Sequence, residues 1–271
     1  MKPKKPVILV LIVLSATLLY SYIKVFHGKT EKPPQPDAHI LYQVGFENND
    51  PFPSFLTKQT ATPYGLQIVE NPVYQGKKAA RFELRDADPE SNNGTRAEIS
   101  FPKPDDKSNL ERWYAFALYF PTDGYQADSI DEVICQWHQG GKATPALCIR
   151  TKNDRITLRI KSTLQSKEKV ELGAIEKDVW HYYVIHVKHS AGDDGLVEIW
   201  RDGASIAQST GANMYDLSGG VFHAPAWKLG IYKSSWNKSK TTNTSKRVLY
   251  FDEIKLGDEQ AKFADMMVKP K

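Results

Sequence analysis

From about residue 38 to its end the chain shows no long helical period. Its apolar residues recur instead every second position, in short runs separated by turn residues. That pattern excludes a helical bundle and predicts strands at 40–46, 66–70, 78–84, 95–101, 112–120, 131–138, 146–151, 154–162, 180–189, 196–201, 204–208, 226–233 and 247–256. Asn153-Asp154 and Asp202-Gly203 read as tight hairpin turns. The only helical options are short, near 127–131 or 212–217. Many short strands with almost no helix predict an all-β fold: a two-sheet antiparallel sandwich, a jelly roll, over residues 37–271.

The first 36 residues are of another kind. Lys2, Lys4 and Lys5 precede an apolar run from Pro6 to about Ile23, long enough to span a bilayer. The positive flank keeps this end in the cytoplasm and exports the remainder. The run ends in Leu-Leu-Tyr-Ser-Tyr-Ile-Lys, which lacks a small-x-small cleavage site. Residues 1–26 therefore read as a signal anchor, one transmembrane helix, and the Pro-rich stretch 27–36 as a linker. The domain is then membrane-anchored outside the cytoplasm, in the periplasm or at the cell surface, or secreted if the segment is cleaved.

The net charge of +4 belongs to this leader. Residues 1–33 contain six of the 36 basic residues and one of the 32 acidic ones, leaving 30 against 31. A domain so balanced is no polycation, so nucleic acid is not an expected partner. Affinity for an anion has to come from local arrangement. The chain is expected to act as a monomer.

Local arrangement is visible in three segments. Residues two apart on a strand share a face. Arg96 and Glu98 therefore point one way and Ala97 the other. Gln136 and His138 flank Trp137, and Lys228, Gly230 and Tyr232 flank Leu229 and Ile231. One sheet face would carry Arg, Gln, His, Lys and Tyr without a dense set of carboxylates. Such a face suits an anionic ligand and proton abstraction from a carbon acid.

In this order, Arg96-x-Glu98, Gln136-Trp137-His138 and Trp227-Lys-Leu-Gly-Ile-Tyr-Lys233 resemble the three motif regions of jelly-roll polysaccharide lyases. The likeness is strongest to the group of heparin lyase I and glucuronan lyase, and more distant to alginate lyases. The chain departs from the alginate lyase pattern at 228–232, where Lys-Leu-Gly-Ile-Tyr is followed by Lys233-Ser234-Ser235. Val248 to Gly257 resembles the closing strand of concanavalin-like sandwiches, and the resemblance spans roughly 40–258. It implies cleavage of a uronic-acid polysaccharide by β-elimination. Arg96 and Gln136 would neutralise the substrate carboxylate, His138 would take the C5 proton, and Tyr232 would protonate the O4 leaving group. Lys228 would hold the resulting phenolate. Some members use one tyrosine as both base and acid, so the choice between His138 and Tyr232 stays open.

Glu98, Arg150, Arg159, Lys161 and Lys233 are the expected substrate-binding residues around that set. Trp180 to His186 reads as a central sandwich strand. The polar loop Lys238 to Lys246 could close over a sugar or stay solvated. Cys135 and Cys148 fall in consecutive strands, where either a disulfide or two buried thiols would fit. No cofactor is expected; a structural calcium at Asp252 and Glu253 is the single metal option. A retaining glycosidase needs two carboxylates about 5–5.5 Å apart, and no Glu-x-Asp-x-x-Glu strand supplies them. The alternative to a lyase is a non-catalytic carbohydrate-binding module on the same fold, with an acidic polysaccharide as partner either way.

Overall fold

The structure is a computed structural model that describes residues 38–104, 110–141, 144–163, 168–216 and 223–268. The expected signal anchor and linker lie outside the described residues. In chain order the strands are β1 (Ile40–Val44), β2 (Thr57–Thr60), β3 (Leu66–Val69), β4 (Ala79–Arg85), β5 (Arg96–Ser100), β6 (Glu111–Tyr119) and β7 (Glu132–His138). They continue with β8 (Leu147–Lys152), β9 (Arg155–Ile160), β10 (Glu168–Ala174), β11 (Trp180–Lys188), β12 (Leu196–Arg201), β13 (Ala204–Thr210), β14 (Ala226–Tyr232) and β15 (Lys246–Gly257).

They form two antiparallel sheets. One runs β13-β12-β11-β6-β15-β4-β3, with β1 also on β15; the other runs β10-β9-β8-β7-β14-β5-β2. The fold is the expected two-sheet sandwich. β15 spans the first sheet as a spine. One edge pairs with β6, while the other is shared between β4 (through 246–251) and β1 (through 254–257). The core lies between the sheets. Ala97, Ile99, Trp137, Leu158, Trp227 and Leu229 from the seven-stranded sheet meet Phe82, Tyr114, Phe116, Ile185 and Phe251 from the other. Rings interlock across the gap, Tyr114 lying 4.9 Å from Trp227 and 5.2 Å from Trp137. Each such side chain contributes about 1.5–3 kcal/mol by leaving water.

The middle of the outer face of the eight-stranded sheet, on β6 and β11, is also apolar and is covered by residues 261–268. Residues Phe263–Met266 form one helical turn, α1. It brings Met266 onto Ala115, Ala117, Tyr182 and Val184. The Tyr182 hydroxyl donates to the Met266 carbonyl at 2.8 Å and Lys255 to that of Met267 at 2.7 Å. No helix among the described residues is long and apolar enough to cross a membrane.

Three expectations change. The segments 127–131 and 212–216 are irregular rather than helical. Strands β2 and β10 were not predicted. Cys135 and Cys148 are buried free thiols, not a disulfide. Strand parity explains this: Cys135 pairs with Ile149 and Cys148 with Gln136, so the thiols point to opposite faces of one sheet. Burial raises the pKa of both.

Candidate functional site

The open face of the seven-stranded sheet carries the polar positions that alternate with the core. Directly paired residues on neighbouring strands share a face. Tyr232 on β14 pairs with Arg96 on β5, Gly230 with Glu98, and Lys228 with Gln136 on β7. Ala226 opposes His138, and Cys148 on β8 opposes Arg159 on β9. The register thus lays the three motif segments side by side. They line a cleft of about 750 Å³ that also takes in Gln59, Asn92, Asn93, Thr144, Arg150 and Arg159.

Gly230 makes this register work. It sits at a break in the β14–β7 pairing with φ +137°, and a Cβ there would lie 2.2 Å from the Ala97 carbonyl oxygen. Gly94 is constrained as well, since a Cβ would come within 2.6 Å of the Tyr232 ring.

Glu98 organises the cleft floor. It is 1% exposed, and its carboxylate accepts from Arg96 Nη1 at 2.9 Å and from Gln136 Nε2. The Arg96 guanidinium stacks over the Tyr232 ring, 4.2 Å from its centre. Arg96 Nε and Gln136 Oε1 are buried without hydrogen-bond partners. Gln136, expected to donate to a substrate carboxylate, has its amide nitrogen turned to Glu98.

Lys228 donates to Gln59 Oε1 at 3.0 Å. Burial lowers the pKa of its ammonium; Arg96 and Lys103 act the same way and Glu98 opposes them. His138 Nδ1 accepts the Gly140 backbone N–H at 2.8 Å. A neutral imidazole has one donor and one acceptor nitrogen, so neutral His138 carries its proton on Nε2. Arg150 donates to Asp131 at 2.6 Å; burial opposes its charge, but the carboxylate outweighs burial and raises its pKa. Arg159 reaches the Pro145 carbonyl at 3.2 Å.

Seven of the expected site residues therefore line one cleft: Arg96, Gln136, His138, Arg150, Arg159, Lys228 and Tyr232. Glu98 lies beneath them, and Lys161 is not among the lining residues. Lys233 is elsewhere. It is fully buried, donating to Glu132 at 2.9 Å and to the Ile130 carbonyl at 2.8 Å, with Asp128 at 3.3 Å. The chain leaves β14 at Tyr232 and turns through Ser234–Trp236, which sends Lys233 into the interior. A polysaccharide cannot reach it.

The residues not foreseen are Gln59, Asn92, Asn93 and Thr144. Gln59 lies on a strand, Thr-Lys-Gln-Thr, with no apolar alternation to reveal it. Asn92 and Asn93 have φ of 48° and 61°, a region that asparagine tolerates. The 238–246 loop is tied down away from the cleft, Thr244 donating to Asp128 at 2.8 Å and Asn243 accepting from the Ser129 amide at 3.1 Å.

Asp252 is buried and accepts the amides of Tyr74, Gln75 and Glu253 at 2.8–3.1 Å; burial lifts its pKa to about 7. Among the described residues no group of three or more His, Cys, Asp or Glu side chains could hold a metal ion.

Comparisons with known proteins bear on this cleft. The endo-beta-1,4-glucuronan lyase of the fungus Trichoderma reesei superposes with a TM-score of 0.67 at 20% identity, over 84% of this chain and 98% of that one. The binding domain of botulinum neurotoxin DC, solved with rat synaptotagmin II, gives 0.54 at 8% identity, over 86% of this chain and 51% of that one. The binding domain of Paraclostridial Mosquitocidal Protein 1 gives 0.53 at 12% identity, over 86% and 52%. These likenesses are of fold. No curated protein sequence matches the chain. The polysaccharide lyase family model matches residues 45–255, a span that holds β2 to β14, most of β15 and every residue of the cleft. The chain therefore belongs to the polysaccharide lyase family.

Proposed function

We propose that this lyase cleaves a uronic-acid polysaccharide by β-elimination, with Tyr232 as the residue that moves the proton. The observation that carries this reading is the stacking of Arg96 on the Tyr232 ring, inside a cleft shared with Lys228, Gln136 and His138. The Tyr232 phenolate takes the proton as the substrate's C5–H bond breaks, and the resulting phenol hands that proton to O4. The electron pair of the C5–H bond forms the C4=C5 double bond as C4–O4 breaks, and the tyrosine returns to its phenolate. Arg96 lies where it offsets negative charge on the tyrosine during transfer. Arg96 and Lys228 supply positive charge for the uronate carboxylate.

His138 takes a different part from the base expected of it. With Nδ1 held by the Gly140 amide, the neutral ring offers a donor rather than a lone pair. It serves the reaction by donating a hydrogen bond to the carboxylate, on which enolate charge builds. Arg150 and Arg159 extend the cationic lining across β8 and β9 for neighbouring uronates. The polymer in the name of the Trichoderma protein, glucuronan, heads the substrate candidates, ahead of heparin-like chains and alginate. Anchoring outside the cytoplasm belongs to the same proposal, supported by the three lysines before the apolar run.

The test is to incubate the domain from about residue 35 with these polyuronates and follow the ultraviolet absorbance of the conjugated C4=C5 bond. A rise with one polymer is expected. A flat trace from a folded domain that a polyuronate column still retains would replace the lyase with a binding module.

A further inference from the structure

We infer that Glu98 is a positioning residue, not a sugar ligand: its carboxylate fixes Arg96 and Gln136 and is the counter-charge that faces Lys228. This rests on the reading of the cleft given above and assigns the organiser beneath it. Glu98 is 1% exposed, so substrate cannot touch it. One oxygen takes Arg96 Nη1 at 2.9 Å and the other takes the Gln136 amide. A carboxylate accepts only, so it dictates which end of the Gln136 amide faces it. It also tethers the guanidinium that stacks on Tyr232. Three groups aimed at substrate chemistry are thus oriented from one buried charge.

Lys228 depends on that charge in a second way. The groups around it are Gln59 from β2, Glu98 and Arg96 from β5, Gln136 and His138 from β7, Tyr232 on its own strand, and Lys103 from the loop after β5. Burial, Arg96 and Lys103 all disfavour its ammonium; among the interactions that shift it, Glu98 alone favours the charge. Replacing Glu98 by a neutral isostere leaves Lys228 in a buried, positively charged surrounding. It should then give up its proton at lower pH.

The experiment uses the folded domain and two variants, Glu98→Gln and Glu98→Asp. The pH dependence of Lys228 acylation by acetic anhydride is mapped by peptide mass spectrometry, because only the free amine reacts. In Glu98→Gln the midpoint should fall by about one pH unit or more, as expected for losing a buried charge placed diagonally on the same sheet face, Glu98 opposing Gly230 and Lys228 opposing Ser100. In Glu98→Asp it should stay near the wild-type value. In parallel, kcat should fall about 100-fold in Glu98→Gln with KM changed little, and Glu98→Asp should recover part of the loss.

An unmoved Lys228 midpoint in folded Glu98→Gln overturns the inference. So does a variant that raises KM alone, since that is the behaviour of a sugar ligand. If Glu98→Gln does not fold, Glu98→Asp decides: a retained midpoint with reduced kcat supports the inference, and raised KM with wild-type kcat overturns it. The labelling measurement needs no turnover, so a failure of the lyase reading leaves it intact and separately readable.

Discussion

Two buried carboxylates, Glu98 and Glu132, hold charged clusters within reach of the same strands, and they are finished to different degrees. Glu132 begins β7. Its carboxylate accepts from Tyr125 at 2.6 Å, Arg247 Nε at 2.7 Å, Lys233 at 2.9 Å and Thr151 at 3.1 Å. Glu98 serves Arg96 and Gln136 and leaves Arg96 Nε and Gln136 Oε1 unpartnered beside an open cleft. Adjacent residues divide between the two, Lys233 going inward to Glu132 and Tyr232 facing Arg96. A closed network locks chain segments together, whereas an open one keeps hydrogen-bonding capacity for something that arrives. The first cluster is closed on itself, and the second is the one proposed to meet substrate.

The comparison breaks if variants in the two clusters behave alike. The largest effect is expected from Tyr232→Phe. Removing the hydroxyl proposed to move the proton should lower kcat by about 10²–10⁴-fold and leave melting and polyuronate retention close to wild type. A parallel loss of binding would reassign Tyr232 to substrate grip. Glu132→Gln should do the reverse, because it leaves Arg247 buried without its counter-charge and Lys233 with Asp128 alone. The expected loss is about 3–5 kcal/mol of stability, read from denaturant unfolding, with kcat per folded molecule little changed.

Gly94→Ala sharpens the contrast, since its added methyl meets the Tyr232 ring. It should reduce kcat about tenfold for a misplacement of a few tenths of an ångström while the unfolding midpoint hardly moves. Arg150→Gln should act on KM alone, raising it several-fold for long polymers and less for short oligomers, measured by initial rates on sized substrates. The smallest effect concerns acid. Asp128 is held down to a pKa of about 2: burial opposes this, but Thr242, the Ile130 amide, Thr244 and Lys233 outweigh it. A carboxylate lowered by folding adds stability above its ordinary value of 3.8 that is lost as pH falls toward 2. Asp128→Asn should flatten the thermal melting curve in that window and leave the pH profile of turnover unchanged.

The sandwich and most of the cleft were legible because both follow from period two. Ala97, Trp137 and Leu229 point inward, so their neighbours had to point out. What escaped the pattern did so for physical reasons. The edge strands Thr57–Thr60 and Glu168–Ala174 bury little apolar surface and show no clear alternation. Lys233 lies one residue past the end of β14, where parity no longer fixes direction. The state of the thiol pair stayed open because the sequence does not reveal the register that decides between a disulfide and two buried thiols. The polar loop 238–246, read as closing over a sugar or staying solvated, is mostly exposed, with Thr242, Asn243 and Thr244 bonded to Asp128 and Ser129. His138 was legible as a cleft residue, but the amide that fixes its tautomer arrives through a turn that sequence does not reveal.

The spine strand β15 has a kinetic consequence. β1, β4 and β6 all wait for it, and β1 comes from the opposite end of the domain. The eight-stranded sheet therefore cannot close until the domain from β1 to β15 is available, and its pairings join strands far apart in sequence. Topologies dominated by such distant contacts pay loop-closure entropy early and fold slowly. A nascent domain of this design stays open until β15 emerges, and that strand acts as the clasp.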